Sequence, residues 1–453
     1  MQTNLFFRMT VAFGVFALSV NTQLSAQAVR ILNLEDATGL ALENNHLLNV
    51  RKYQVREKQE MINEDRVKFL PTVAIGGSYQ YNSNLPSITI EQGRFGTLPF
   101  GGMYYPLPPL DEIIEVGKHN VYSAGVTFYQ PVSQIGKINA GVQFSKTELQ
   151  IAQTEESRAI CQIKQAVEKL YFGVLILRKQ IEEAGLKVTL AKTKLNDIKN
   201  AIAAGKTTES NIYGLSASAA DEEQNQLKLK IQYDDYIADL LQLTGIDPAV
   251  VIELQPVPDE NFGENLPAVD TSISEAGLKN NDLKMASLNK IKADYSIKAS
   301  KYSYLPDLGI LGGYTYQEGT DIYPRNNAFI GASLKWNLQD ILSNRNIQKQ
   351  RTFLKKQAEE NLANTKEQVN KEIAKAYRKV EQSEELISVA GKVVDYRRED
   401  LKIQNDRRTS GLNLESDLLT VKAALAKAES DYYAAQLNYR IALSDLHILT
   451  GNY

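Results

Sequence analysis

Two long stretches of the chain, Pro131 to Pro248 and everything after Pro324, contain no internal proline, and their apolar residues recur at spacings of three and four. Proline costs about 3 kcal/mol inside a helix, so this pattern predicts long uninterrupted helices. The last stretch reads Leu418, Val421, Leu425, Ala428, Tyr432, Ala435, Tyr439, Ala442, Leu446 and Leu449, a heptad seam that predicts coiled-coil packing. Ile212, Leu215, Tyr233, Tyr236, Leu240 and Leu243 keep the same register earlier, interrupted at Glu222 and Gln226. A helix from about Ile138 to Ala204, at about 1.5 Å per residue, would be on the order of 100 Å long and has to form part of a column. Its reversal is expected at Gly205-Lys206-Thr207-Thr208, and that of its counterpart at Gly411-Leu412-Asn413-Leu414, where glycine accepts the left-handed backbone that ends many helices.

Elsewhere the period drops to two. Val73, Ile75, Gly77, Tyr79 and Tyr81 alternate with Thr72, Ala74, Gly76, Ser78 and Gln80, giving one greasy face and one small or polar face. Three further segments repeat the alternation: Tyr122, Ala124, Val126, Phe128; Leu308, Ile310, Gly312, Tyr314, Tyr316; and Ala328, Ile330, Ala332, Leu334, Trp336. Strands of about 9 to 11 residues, apolar on one side and edged by aromatics, suit an outer-membrane β-barrel. Four strands cannot close by themselves, and an open edge in lipid strands backbone N–H and C=O groups, so closure is expected to need several chains. The segment between the first two strands, Asn82 to Lys118, is rich in Pro, Gly and Tyr; it is expected to be a loop that faces the exterior and either binds a ligand or caps the barrel.

Self-comparison sets the organisation. Phe69-Leu-Pro-Thr-Val-Ala-Ile-Gly-Gly-Ser-Tyr-Gln-Tyr81 matches Tyr304-Leu-Pro-Asp-Leu-Gly-Ile-Leu-Gly-Gly-Tyr-Thr-Tyr316 at an offset of 235, with Asn44-Asn45 set against Asn280-Asn281 upstream. A second block, at an offset of 206, carries Gly205, Glu209 and Ser210 onto Gly411, Glu415 and Ser416, and Leu243-Thr-Gly245 onto Leu449-Thr-Gly451. The expected division is a first repeat at 27–246, a linker at 247–270 and a second repeat at 271–453, each reading helix, two strands and a long helical hairpin. Ahead of them, Arg8, an apolar run from Val11 to Val20 and small residues at Ser25, Ala26 and Ala28 have the order of a secretory signal peptide at 1–26. About 10 apolar residues fall short of the roughly 20 a membrane-spanning helix needs.

Composition narrows the function classes. The chain has 453 residues, a formal net charge of −3 and 23% charged residues; nucleic-acid-binding domains are usually strongly basic, so nucleic acid is not an expected partner. Cys161 is the one cysteine, which excludes an internal disulfide framework and a Cys-rich zinc site. His46, set against Asp282, His119 and His447 are scattered, with no metalloprotease or hydrolase motif around them. No enzyme, cofactor or metal site is expected.

The order of these elements, with Asn44-Asn45, Leu70-Pro71, the Gly205 and Gly411 turns and Leu-Thr-Gly closing both copies, resembles the TolC-type outer-membrane efflux protein family over essentially the whole mature chain. The resemblance implies a mixed α and β membrane protein, a homotrimer in which each chain gives four strands to a twelve-stranded barrel in outer-membrane lipid and its helices to a hollow coiled-coil cylinder across the periplasm. It implies a passive exit duct in a tripartite efflux or type I secretion system. A periplasmic adaptor, or membrane fusion protein, would dock at the tips, and an inner-membrane transporter would supply the energy. Tip candidates for adaptor contact are Gly205, Lys206, Thr207, Thr208, Arg408, Gly411, Leu412 and Asn413. The family's first aperture carboxylate falls on Asp417, whose equivalent in the first copy is Asn211; its second falls on Thr420, and its tip arginine on Asn413. These departures weaken the case for a double acidic ring. Asp417 also suits the first turn of a helix for the dipole alone. The alternative is a periplasmic coiled-coil adaptor or structural protein without a conducting pore, which would carry no lipid-facing strands.

Overall fold

The computed structural model describes residues 30–206, 210–256, 266–320, 323–412 and 414–452, without the side chains of Ser210 and Asn211. The signal segment, Thr207, Thr208 and Asn413 lie outside the described residues, as does part of the linker.

The first half runs β1 (Arg30–Leu32), α1 (Leu34–Asn44), α2 (His46–Val67), β2 (Thr72–Tyr81), β3 (Ser87–Ile90), β4 (Thr97–Phe100), β5 (Met103–Pro106), β6 (Glu112–Glu115), β7 (Asn120–Pro131), α3 (Ile135–Ala203) and α4 (Ser210–Thr244). After β8 (Ile252–Leu254), within the expected linker, the second half runs α5 (Val269–Lys279), α6 (Asn281–Tyr302), β9 (Asp307–Glu318), β10 (Asn326–Lys335), α7 (Leu338–Thr409) and α8 (Glu415–Thr450). The single opening helix expected for each copy is two helices, of 11 and 22 residues in both halves. They part at an asparagine. Asn45 Oδ1 accepts the Leu48 N–H at 3.0 Å, and Asn280 Oδ1 accepts the Leu283 N–H at 2.9 Å; each satisfies an amide that the new helix leaves unpaired. These caps set Asn45 opposite Asn280, so the asparagine match moves by one residue and His46 stands opposite Asn281, not Asp282.

The helices form a column. At about 1.5 Å per residue, the 69 residues of α3 and the 72 of α7 each run on the order of 100 Å. Nearer the sheet they are packed in the order α2–α3–α6–α7, and in the far half in the order α4–α3–α8–α7. The predicted α8 seam is buried at Leu418, Ala428, Ala435, Tyr439, Ala442 and Leu446. β2, β7, β9 and β10 make one antiparallel sheet in the order β10–β9–β7–β2, and β1 pairs with β8 in parallel beside the helices.

Two cores hold the column, one per copy, and both are built around a tyrosine at the offset of 206. Tyr171 is fully buried, and its hydroxyl donates to the Gln255 carbonyl at 2.6 Å and the Leu32 carbonyl at 3.0 Å, tying β1 and β8 to α3. Tyr377 donates to the Pro267 carbonyl at 2.5 Å and accepts from Ser272 Oγ at 2.5 Å. The Leu-Thr-Gly closures have a matching cause. Gly245 and Gly451 sit at φ +69° and +76°, and a Cβ would meet Asn44 Cβ and Lys279 O, each at 2.6 Å. Asn44 and Asn280 donate to the last-turn carbonyls of Thr244 and Leu449 at 3.0 and 2.8 Å.

Burial pushes the Tyr171 hydroxyl up to about 12 from 10.0, against a smaller downward pull from its bond to Gln255. A raised folded-state pKa means stability that is whole below pH 10.0 and is lost as pH climbs towards about 12. Tyr171→Phe is expected to cost about 0.5–1.5 kcal/mol at neutral pH, because the Gln255 carbonyl loses the hydroxyl while the Leu32 carbonyl keeps the Gln255 N–H at 3.1 Å. Helical melting in detergent should show a lower midpoint for the variant at pH 7 and a gap that narrows above pH 10.0; a gap independent of pH would separate the hydroxyl from the effect.

Candidate functional site

The register of the sheet joins the four predicted greasy faces into one. Across it run the rows Ile75–Val126–Tyr314–Ala328 and Val73–Phe128–Gly312–Ile330, with Tyr79–Tyr122 above and Leu308–Leu334 below. These side chains have no cover: Ile75 is 82% exposed and Ile330 79%. A contiguous apolar face of this kind is the mark of a surface met by another apolar phase. Val73 to Tyr81 spans roughly 27 Å along the strand at about 3.4 Å per residue, close to the band an outer-membrane barrel shows to lipid.

The ends of the band are aromatic. Tyr79 lies 5.2 Å from Tyr122, ring centre to ring centre, and donates to Asn120 at 2.9 Å; Tyr314 donates to Asn326 at 3.0 Å and Tyr316 to Glu318 at 3.1 Å. Trp336, the chain's one tryptophan, stands exposed at the other end, next to the helices. Amphipathic rings at both ends of an apolar strip fit the two interfaces of a bilayer. The opposite face is small and polar, with the row Gly76–Gly125–Thr315–Asn327 and a 2.8 Å Ser78–Ser123 hydroxyl contact.

Both flanks are open. Among the described residues, β2 and β10 each lack a partner on their outer side. The column ends likewise in α7 on one flank, and in α2 and α4 on the other. α7 buries Ile373, Val380, Ile387 and Val394, yet it presents a second apolar stripe at heptad-like spacing, Leu386, Val389, Val393, Tyr396 and Ile403, to solvent. Val50, Tyr53, Leu227 and Ile231 are exposed on the other flank.

The turns lie at the end of the column away from the sheet. Gly205 and Gly411 have φ +67° and +74°. The amides that follow close each helix, Lys206 N–H onto Ala201 O at 2.8 Å and Leu412 N–H onto Arg407 O at 2.9 Å. Lys206 and Leu412 are exposed. Arg408 is not a free tip cation; it forms an ion pair across the turn with Glu415. Sequence reasoning had missed Glu415, although a basic last turn facing an acidic first turn was readable from the heptad boundaries.

Asp417 is exposed in the first turn of α8, and its carboxylate accepts the Leu414 N–H at 3.3 Å. It caps the helix and keeps its second oxygen available. Thr420, three residues on, is exposed and donates to Ser416 O at 2.7 Å. The backbone of Asn211 lies in the first turn of α4, at the matching place. Among the described residues, no group of three or more His, Cys, Asp or Glu is placed to hold a metal, and no helix is long and apolar enough to cross a membrane.

Residues 37–246 and 272–452 match the family model described as outer membrane efflux protein. No curated protein matches the sequence. Among solved structures, the fold is similar to the outer membrane protein VceC of Vibrio cholerae, at 16% identity and a TM-score of 0.66 over 92% of this chain and 96% of that one. It is similar as well to the CmeC outer membrane channel of Campylobacter jejuni, at 17% identity and a TM-score of 0.70 over 92% and 85%. The open state of the Neisseria gonorrhoeae MtrE outer membrane channel gives 16% identity and 0.64 over 92% and 88%. A poreless adaptor is set aside, since the four-stranded sheet bears the uncovered apolar face that such a protein would lack. With one matched segment within each repeat and the fold shared over 92% of the chain, the chain belongs to the outer membrane efflux protein family.

Proposed function

We propose that three copies close into one duct, the greasy sheet face in the outer membrane and the helical column in the periplasm, through which substrates leave the cell. The observation that carries this is the pair of open flanks on both levels at once. β10 lies on the same side as α7, which follows it, and β2 on the side of α2, which precedes it. One rotation therefore offers β10 to the next copy's β2 and the exposed α7 stripe, which lies in the far half of the column, to its α4. With four strands per copy the new pair is antiparallel, like every other in the sheet, and three copies make twelve strands with no edge in lipid. The duct performs no chemistry on its cargo.

The tips are offered to a periplasmic adaptor and, through it, to an inner-membrane transporter. Lys206 and Leu412 are described tip residues with exposed side chains, and Gly205 and Gly411 set the turns that present them. The Arg408–Glu415 pair stiffens the second turn. Threefold symmetry would bring three Asp417 carboxylates around the axis, where like charges attract cations into the aperture.

Val389→Asp with Tyr396→Asp places charges on the exposed α7 stripe and is expected to abolish the trimer while the helical signal of the chain persists; native mass spectrometry reads the outcome, and a trimer of wild-type abundance would sink the assembly. Asp417→Asn is expected to lower the cation preference of single channels in planar bilayers severalfold with the trimer unchanged. Unaltered selectivity would reduce Asp417 to a helix cap.

A further inference from the structure

The β2–β7 hairpin does not stop at the tyrosine row. Beyond Tyr81 and Asn120 the two chains stay together: Asn82 N–H donates to His119 O at 2.8 Å and Val116 N–H to Pro86 O at 2.7 Å. β3 then pairs with β6 from Ser87 to Ile90, and β4 with β5 from Thr97 to Phe100. Gly101 and Gly102, at φ +60° and +84°, turn the chain; two consecutive left-handed residues are what the tightest hairpin turn needs. The segment expected to be a loop at 82–118 is therefore a long two-stranded ribbon. The β9–β10 connection, 319–325, is short by comparison.

The ribbon's distal end is apolar and uncovered. Leu98, Phe100, Met103 and Tyr105 share one side of the β4·β5 ladder, and Phe100 is 79% exposed. No charged residue occurs from Phe95 to Leu110, whereas Glu91, Asp111, Glu112 and Glu115 outnumber Arg94 and Lys118 at the base. A two-stranded ribbon with nothing packed on it is marginal in water.

We propose that the three ribbon tips pack against one another over the outer mouth of the duct and cap it with an apolar plug. This rests on the trimeric assembly proposed above. Three arguments favour copies of the chain as the occupant. The ribbon grows from β2, the strand at the seam with the next copy, so each ribbon starts beside its neighbour. Reach is ample: a twelve-stranded barrel with strands about 4.8 Å apart and tilted by about 40° has a radius of roughly 12 Å, whereas residues 82–101 at about 3.3 Å each span up to about 65 Å. Charge disfavours the bilayer surface, because the acidic base would be repelled by anionic headgroups while the uncharged tip is free to self-associate.

Phe100→Cys tests it, since the only other thiol, Cys161, is 5% exposed inside α3. In outer membranes a short bis-maleimide should link two of the three copies into a covalent dimer. Replacing residues 97–106 by Asn-Gly should raise single-channel conductance by about twofold or more. A conducting trimer with no cross-link and unchanged conductance on shortening overturns the cap alone. So does a fluorophore at position 100 that shifts to the blue only in bilayers, without cross-linking, which would lay the tip on lipid. A wild-type chain that is monomeric by native mass overturns the assembly and the cap together.

Discussion

Inside a hydrocarbon layer no water is available to a backbone amide, so each N–H and C=O must find its partner in protein. Most of this structure follows from that demand. The sheet satisfies it along three strand pairs and leaves it unmet at β2 and β10. The residue types are those of a wall exposed to lipid on one face and to water on the other, with Ile75 and Ile330 outside and Gly76, Gly125 and Ser123 inside. Such a wall has meaning only when closed, and the column beneath repeats the condition with an unpartnered heptad stripe on α7.

The duplication lets one set of local devices serve twice. Tyr171 and Tyr377 each tie α3 or α7 to the chain entering or leaving the linker, and Asn45 and Asn280 each break a helix at the same point. The positive-φ glycines 245 and 451 end α4 and α8 against the last residue of their own copy's first helix, Asn44 and Lys279, so that each copy closes on itself. Each tyrosine buries a hydroxyl, which is tolerable only because a carbonyl of otherwise irregular backbone receives it. The two cores are thus built copy by copy, and α3 packing on α6 and α8 joins them.

At the far end the two copies diverge. The second turn is held by Arg408 and Glu415, whereas Ile202 in the first copy stands at the Arg408 position and cannot form the pair.

The helices, the strands and the repeat were legible in the sequence because each is a local periodicity: three-and-four spacing in α8, alternation in β2, an offset of 206 between Gly205 and Gly411. Asp417 was legible as a helix-start carboxylate, and the structure agrees that it caps. What periodicity could not carry was pairing between distant residues. The Arg408–Glu415 bridge, the tyrosine hydroxyls reaching carbonyls 84 and 110 residues away, and the one-residue shift that aligns Asn45 with Asn280 depend on where backbones lie in space. The ribbon from β3 to β6 was hidden because its segments of four residues are broken by proline and glycine and show no sustained alternation. By itself, then, the sequence determined which faces are apolar. Only the tertiary structure decided that four such faces lie in one plane and that their edges stay open, because hydrogen-bond register is a relation between strands and is written in none of them singly.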